Sequence, residues 1–98
     1  MEIKITCINK DKGNHKNPYE AISHLEWKDY NSIKIGRNTR EEMYDLIKNR
    51  GWIAFVEDTK GNKALVVTAI SASGTKYVKT VADETKADNL LSLRECKL

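Results

Sequence analysis

Four side chains in this chain could bind a soft metal ion, Cys7, Cys96, His15 and His24, and one pair of them, Cys7 and His24, could in principle serve as nucleophile and base. A zinc site needs four such ligands, or three with a carboxylate, gathered into one small volume. The spacing does not gather them, since there is no CxxC pair and the two cysteines stand near opposite ends of the sequence. The expectation is therefore no metal, no cofactor and two free thiols. Cys7 should point into the core with Ile3 and Ile5 and react slowly, while Cys96, near the terminus, should react fast.

A second cluster is acidic. Asp83, Glu84 and Asp88 fall within a short span and could hold Mg²⁺ or exchange protons with a substrate. Asp83 ends an extended run and Asp88 precedes Asn89, which are positions where carboxylates cap turns and helices. Capping is the expected role, and a small enzyme using Asp83 and Asp88 is the competing reading. Nucleotide chemistry of the common kinds is disfavoured, because Gly36, Gly51, Gly61 and Gly74 are isolated and form neither GxGxxG nor GxxxxGK[ST].

The third group is basic. Lys10, Lys12, His15 and Lys16 share a polar stretch, while Lys60, Lys63, Lys76 and Lys79 flank the extended segments that carry Trp52 and Tyr77. Lysines beside aromatic rings on a sheet are the elements of single-strand recognition, in which bases stack and phosphates are neutralised. Lys60, Lys63, Lys76, Lys79 and Tyr77 are thus the candidate nucleic-acid site, with Trp52 expected in the core.

These residues must be positioned by a small set of elements. Glu2 to Ile8 alternates, with Ile3, Ile5 and Cys7 on one face, the period of a half-buried strand. Asn17, Pro18 and Glu20 read as N-cap, N1 and N3 of a first helix ending near Trp27, with Ala21, Ile22 and Leu25 as its apolar stripe. A brief alternation at Ile33 and Ile35, closed by Gly36, is a short edge strand or extended chain. Thr39 with Glu42 three residues on is a capping box, and Met43, Leu46 and Ile47 continue it into a second helix over 40–50, stopped at Gly51. Thereafter the period becomes extended over 52–57, 63–71 and 75–82, separated by loops of hairpin length. The last apolar group, Leu90, Leu91 and Leu93, should close the core, with Asp88 or Asn89 capping a turn, or else dock on a partner.

The resulting expectation is an α+β single domain spanning 1–98: strand, helix, short strand, helix, then a three-stranded antiparallel meander, with the helices on one sheet face. The 98 residues suffice for one modest core, and 40% hydrophobic with 32% charged residues excludes disordered and low-complexity classes. A net charge of +3 permits a polyanionic partner without requiring one. No apolar window reaches membrane-helix length and the first ten residues lack a signal peptide's apolar block, so no membrane partner and a cytoplasmic location are expected.

The run Lys76-Tyr-Val-Lys-Thr-Val-Ala-Asp83, followed by Asp88-Asn-Leu-Leu-Ser-Leu93 and Glu95-Cys96, resembles the closing signature of the uncharacterised prokaryotic family catalogued as domain of unknown function 3892. Gly51-Trp-Ile-Ala-Phe-Val-Glu-Asp58 resembles that family's middle segment, so the likeness spans about Arg40 to Cys96. This chain carries Arg94 where such sequences typically have Pro. The resemblance implies no activity and no catalytic residue. With no convergent catalytic set, the expected function is a non-enzymatic binding or interaction module, with single-stranded nucleic acid or another protein as candidate partner.

Overall fold

The expected alternation of the N-terminal strand holds only as far as Ile5. β1 (Glu2–Lys10) pairs antiparallel with β2 (Ile22–Asp29), Ile5 facing Trp27 and Cys7 facing Glu26, so that Thr6 is an extra residue in the ladder. Such a bulge reverses the phase of every later side chain. Ile3, Ile5 and Ile8 therefore enter the core, while Cys7 is turned to the opposite face. Cys7 was expected to join Ile3 and Ile5, and the bulge is why it does not.

The computed structural model describes residues 1–13, 18–57, 59–81 and 90–97. In them a six-stranded sheet has the order β3-β2-β1-β4-β5-β6, completed by β3 (Ile35–Thr39), β4 (Ile53–Glu57), β5 (Lys63–Ile70) and β6 (Lys76–Thr80). Neighbours are antiparallel except β1 and β4, which pair in parallel through Glu2–Ile53, Ile3–Ala54 and Lys4–Phe55. The single α-helix among the described residues, α1 (Arg40–Lys48), lies within the crossover that the parallel pairing requires. This corrects the α+β expectation. The last three strands are one side of a continuous mixed sheet, not a separate meander, and the segment read as the first helix is a 3₁₀ turn at Pro18–Ala21 leading into β2. A second register shift explains the misreading. Asn9 faces His24 but Lys10 faces Ile22, so the buried residues of β2 fall at Ile22, Leu25 and Trp27, and their first interval of three imitates a helix.

The sheet curls. In a flat sheet β2 and β6 would lie about 19 Å apart, at roughly 4.8 Å per strand. Yet the Arg40 guanidinium donates both to Glu20 O, just before β2, and to Lys76 O on β6, and the Tyr19 and Tyr77 rings stack with centroids 6.4 Å apart. The concave side holds the core, into which α1 presses Met43 and Tyr44. Gly36 lies against the Trp27 ring, where a β-carbon would come within 2.3 Å of ring atoms. Trp27 Nε1 donates to Asn38 Oδ1 at 2.8 Å, and Trp52 meets the indole edge-on at 5.1 Å.

α1 begins where the sequence places it. Glu42 N donates to Thr39 Oγ1 at 3.1 Å, and Thr39 N donates to Glu42 Oε1 at 2.8 Å. Gly51, with φ 71°, follows the helix in the left-handed geometry that suits glycine. Replacing Thr39 with Ala should cost about 1 kcal/mol, measured by chemical denaturation. The bonds from Thr39 hold the Glu42 carboxyl below its ordinary range. Its contribution is therefore present above the unfolded-state value and is lost as pH falls through the lower folded one, so the gap between parent and Thr39→Ala should narrow in acid.

Candidate functional site

The four lysines singled out from the sequence do not form one stripe. Lys76 and Lys79 are three residues apart on β6 and so point to opposite faces. Lys76 reaches toward α1, its Nζ 5.5 Å from the centre of the Tyr44 ring. Lys79 stands on the outer face beside Val67, and Lys60 lies in the β4–β5 turn. Tyr77 is buried and stacked on Tyr19, so its ring is not free to receive a base.

Lys63 is the member of that set that stands beside a pair of rings on the outer face. Its Nζ lies 4.3 Å from the Tyr30 ring centre and 5.3 Å from that of Phe55, and the two rings meet edge-on at 6.2 Å. A cation over half-buried rings of this kind contributes about 0.5–2 kcal/mol. Across the outer face, Lys28, Lys4, Phe55 and Leu65 form one row of cross-strand neighbours on β2, β1, β4 and β5. Lys4 and Lys28 directly oppose each other, an arrangement in which like charges repel. A cleft of about 290 Å³ opens here between Lys4, Lys28, Asp29, Tyr30, Ser32 and Glu57.

The cleft is shaped by hydrogen bonds at the end of β2. Asp29 Oδ1 accepts from Asn31 N at 2.9 Å and Oδ2 accepts from the Ser32 hydroxyl at 2.9 Å, which keeps the carboxyl below its usual range. Tyr30 donates to Glu57 Oε1 at 3.0 Å. Burial first, and then this bond to a carboxylate, raises the Tyr30 phenol well above its ordinary value, so it is a neutral donor across the physiological range. Lys4, Lys28, Tyr30 and Phe55 escaped the sequence reading. No local pattern marks them, because the pairing that brings the four together links segments far apart in sequence.

The cysteines give the plainest correction. Cys7 and Cys96 are joined in a disulfide, with Cα atoms 5.1 Å apart, and are not the slow and fast free thiols expected. The end of the chain runs alongside β1, where Ile8 N donates to Arg94 O at 3.1 Å and Cys96 N donates to Ile8 O at 3.0 Å. This parallel contact sets Cys96 beside the face to which the bulge has turned Cys7. Both cysteines are buried, and Glu26 Oε2 lies 3.6 Å from Cys7 Sγ. The two sulfurs and a Glu26 carboxylate oxygen all fall within 4.8 Å of one another. His24 is across the ladder from Asn9 with its Nδ1 against Ser23 Oγ, outside that group.

Leu90 lies fully buried in the core, with Leu91 and Leu93 packed against it, and Leu90 N donates to Thr80 Oγ1 at 3.4 Å. Asp83, Glu84, Asp88 and Asn89, the proposed acids and caps, lie outside the described residues, as do His15 and Lys16. Among the described residues no helix is long and apolar enough to cross a membrane.

A family model described as a protein of unknown function (DUF3892) matches residues 4–94. No curated protein and no solved structure matches significantly.

Proposed function

The chain belongs to the DUF3892 family of unknown function, and from its own surface we propose that it is a non-enzymatic binding module that takes single-stranded nucleic acid on the outer face of the sheet. The observation that carries this reading is the opposed pair Lys4 and Lys28 beside the Tyr30–Phe55 rings capped by Lys63. A phosphate between the two ammonium groups would relieve their repulsion, and an aromatic surface one strand away is placed for a base. The reading goes with cytoplasmic residence, where nucleic acid is at hand.

Labelled single-stranded DNA and RNA should bind at low ionic strength more tightly than about 100 µM, the weak end of non-specific binding. With Lys4, Lys28 and Lys63 on phosphates, log affinity should fall with log salt at a slope of about −2, at roughly 0.7 per contact. Replacing Lys4 and Lys28 together with Glu should abolish binding without lowering the melting temperature. Absence of binding in that range, or binding indifferent to the double replacement, overturns the reading.

A further inference from the structure

The centre at the far end of β1 is built from different residues. Cys7 faces Glu26 across the β1–β2 ladder, and the chain end brings Cys96 in from the other side of β1. From this juxtaposition we propose that the reduced chain holds one zinc-class divalent ion between Cys7 Sγ, Cys96 Sγ and a Glu26 carboxylate oxygen.

The distances suit the ion. With metal–sulfur bonds of about 2.3 Å and a metal–oxygen bond of about 2.1 Å, a tetrahedral site separates sulfur and oxygen by about 3.6 Å. Glu26 Oε2 stands 3.6 Å from Cys7 Sγ. The Cα atoms of Cys7 and Cys96, 5.1 Å apart, allow both sulfurs to reach one ion by side-chain rotation once the bond between them is open. Two thiolates and a carboxylate are a donor set that favours zinc over the harder magnesium and calcium ions.

The surroundings supply a fourth polar atom. Asn9, on the same face as Cys7, donates from Nδ2 to Cys96 O at 3.1 Å, while its Oδ1 is buried and has no hydrogen-bond partner among the described residues. A buried acceptor left open in this way is costly unless something fills it. Two thiolates and a carboxylate are fewer protein ligands than a closed structural site takes, so a water must fill the ion's fourth position, and by donating to Asn9 Oδ1 it would also satisfy that acceptor.

The site and the disulfide exclude each other. A dithiol reductant passes two electrons and two protons to Cys7 and Cys96 and closes into its own disulfide; binding then displaces the two thiol protons. In a reducing compartment the ion would take over the disulfide's task of fastening the chain end to β1.

The test uses the full chain, reduced anaerobically with a phosphine and titrated with Co²⁺. One equivalent should produce a thiolate-to-cobalt absorption band in the near ultraviolet, and Zn²⁺ should abolish it. The oxidised chain should show no band. E26Q should bind at least tenfold more weakly, and C96S should lose the band. Near-ultraviolet circular dichroism, which reports the Trp27–Trp52 contact, is followed throughout. If the reduced chain loosens without metal, one equivalent of Zn²⁺ should restore that signal. No band from the reduced chain, an E26Q affinity equal to the parent's, or one ion per two chains would each overturn the proposal.

Discussion

A chain ending at Ala82 is expected to be unfolded at 25 °C. The truncation removes Leu90, which is fully buried in the core, and with it about 1.5–3 kcal/mol from area alone. It also removes Cys96. The Cys7–Cys96 bond joins residues 89 apart, and in the chain-entropy account a closed loop of that size stabilises the fold by about 4–5 kcal/mol. Together these rival the roughly 5–15 kcal/mol available to a whole domain. Melting followed by far-ultraviolet circular dichroism measures the effect, and two variants divide it. In metal-free buffer Cys96→Ser should lose only the disulfide's share, while Leu90→Ala, with the disulfide intact, should cost about 2–5 kcal/mol. A truncated chain that melts within a couple of degrees of full length would show that the end of the chain is dispensable to the core.

The second large effect is expected at Trp27. Its ring fills the concave side between Gly36, Trp52 and Asn38, and its N–H is satisfied at 2.8 Å. Trp27→Ala should cost about 3–5 kcal/mol, because a void replaces the indole and the half-buried Asn38 oxygen loses its donor. Gly36→Ala tests the same packing from the other side. It deletes nothing, yet its methyl would collide with the indole, so a cost of about 1–3 kcal/mol is expected from overpacking. Urea denaturation would measure both. A neutral Gly36→Ala would mean that the indole can move aside, and Trp27 would not then be the fixed element this account makes it.

What could be read in the sequence was local. The capping box at Thr39 and Glu42 closes on itself within four residues, and α1 begins there. The strands after Gly51 carry their own alternation and turn chemistry. What could not be read was the phase of β1 and β2. Two bulges change the side-chain period in mid-strand, sending Cys7 away from the core and giving β2 the spacing of a helix. The parallel β1–β4 pairing and the sulfur bond are equally hidden, since each joins segments that share no local pattern. The candidate surface suffered for the same reason. Lys63 is legible as a lysine flanking an extended segment, but Lys4, Lys28, Tyr30 and Phe55 become its neighbours only through the strand order.

The sulfur bond between the two ends also governs how this molecule answers to force. It turns the segment from Cys7 to Cys96, residues 89 apart, into a covalent ring. Tension applied at the two termini would run through the sulfurs and bypass the ring. With the bond intact the closed segment contributes only the 5.1 Å between its two Cα atoms, against roughly 310 Å for the same segment drawn out with the bond open. A motor that unravels proteins by threading them through a narrow pore would meet a doubled strand on reaching either sulfur. For such a machine, opening one bond decides whether the molecule is a thread or a loop.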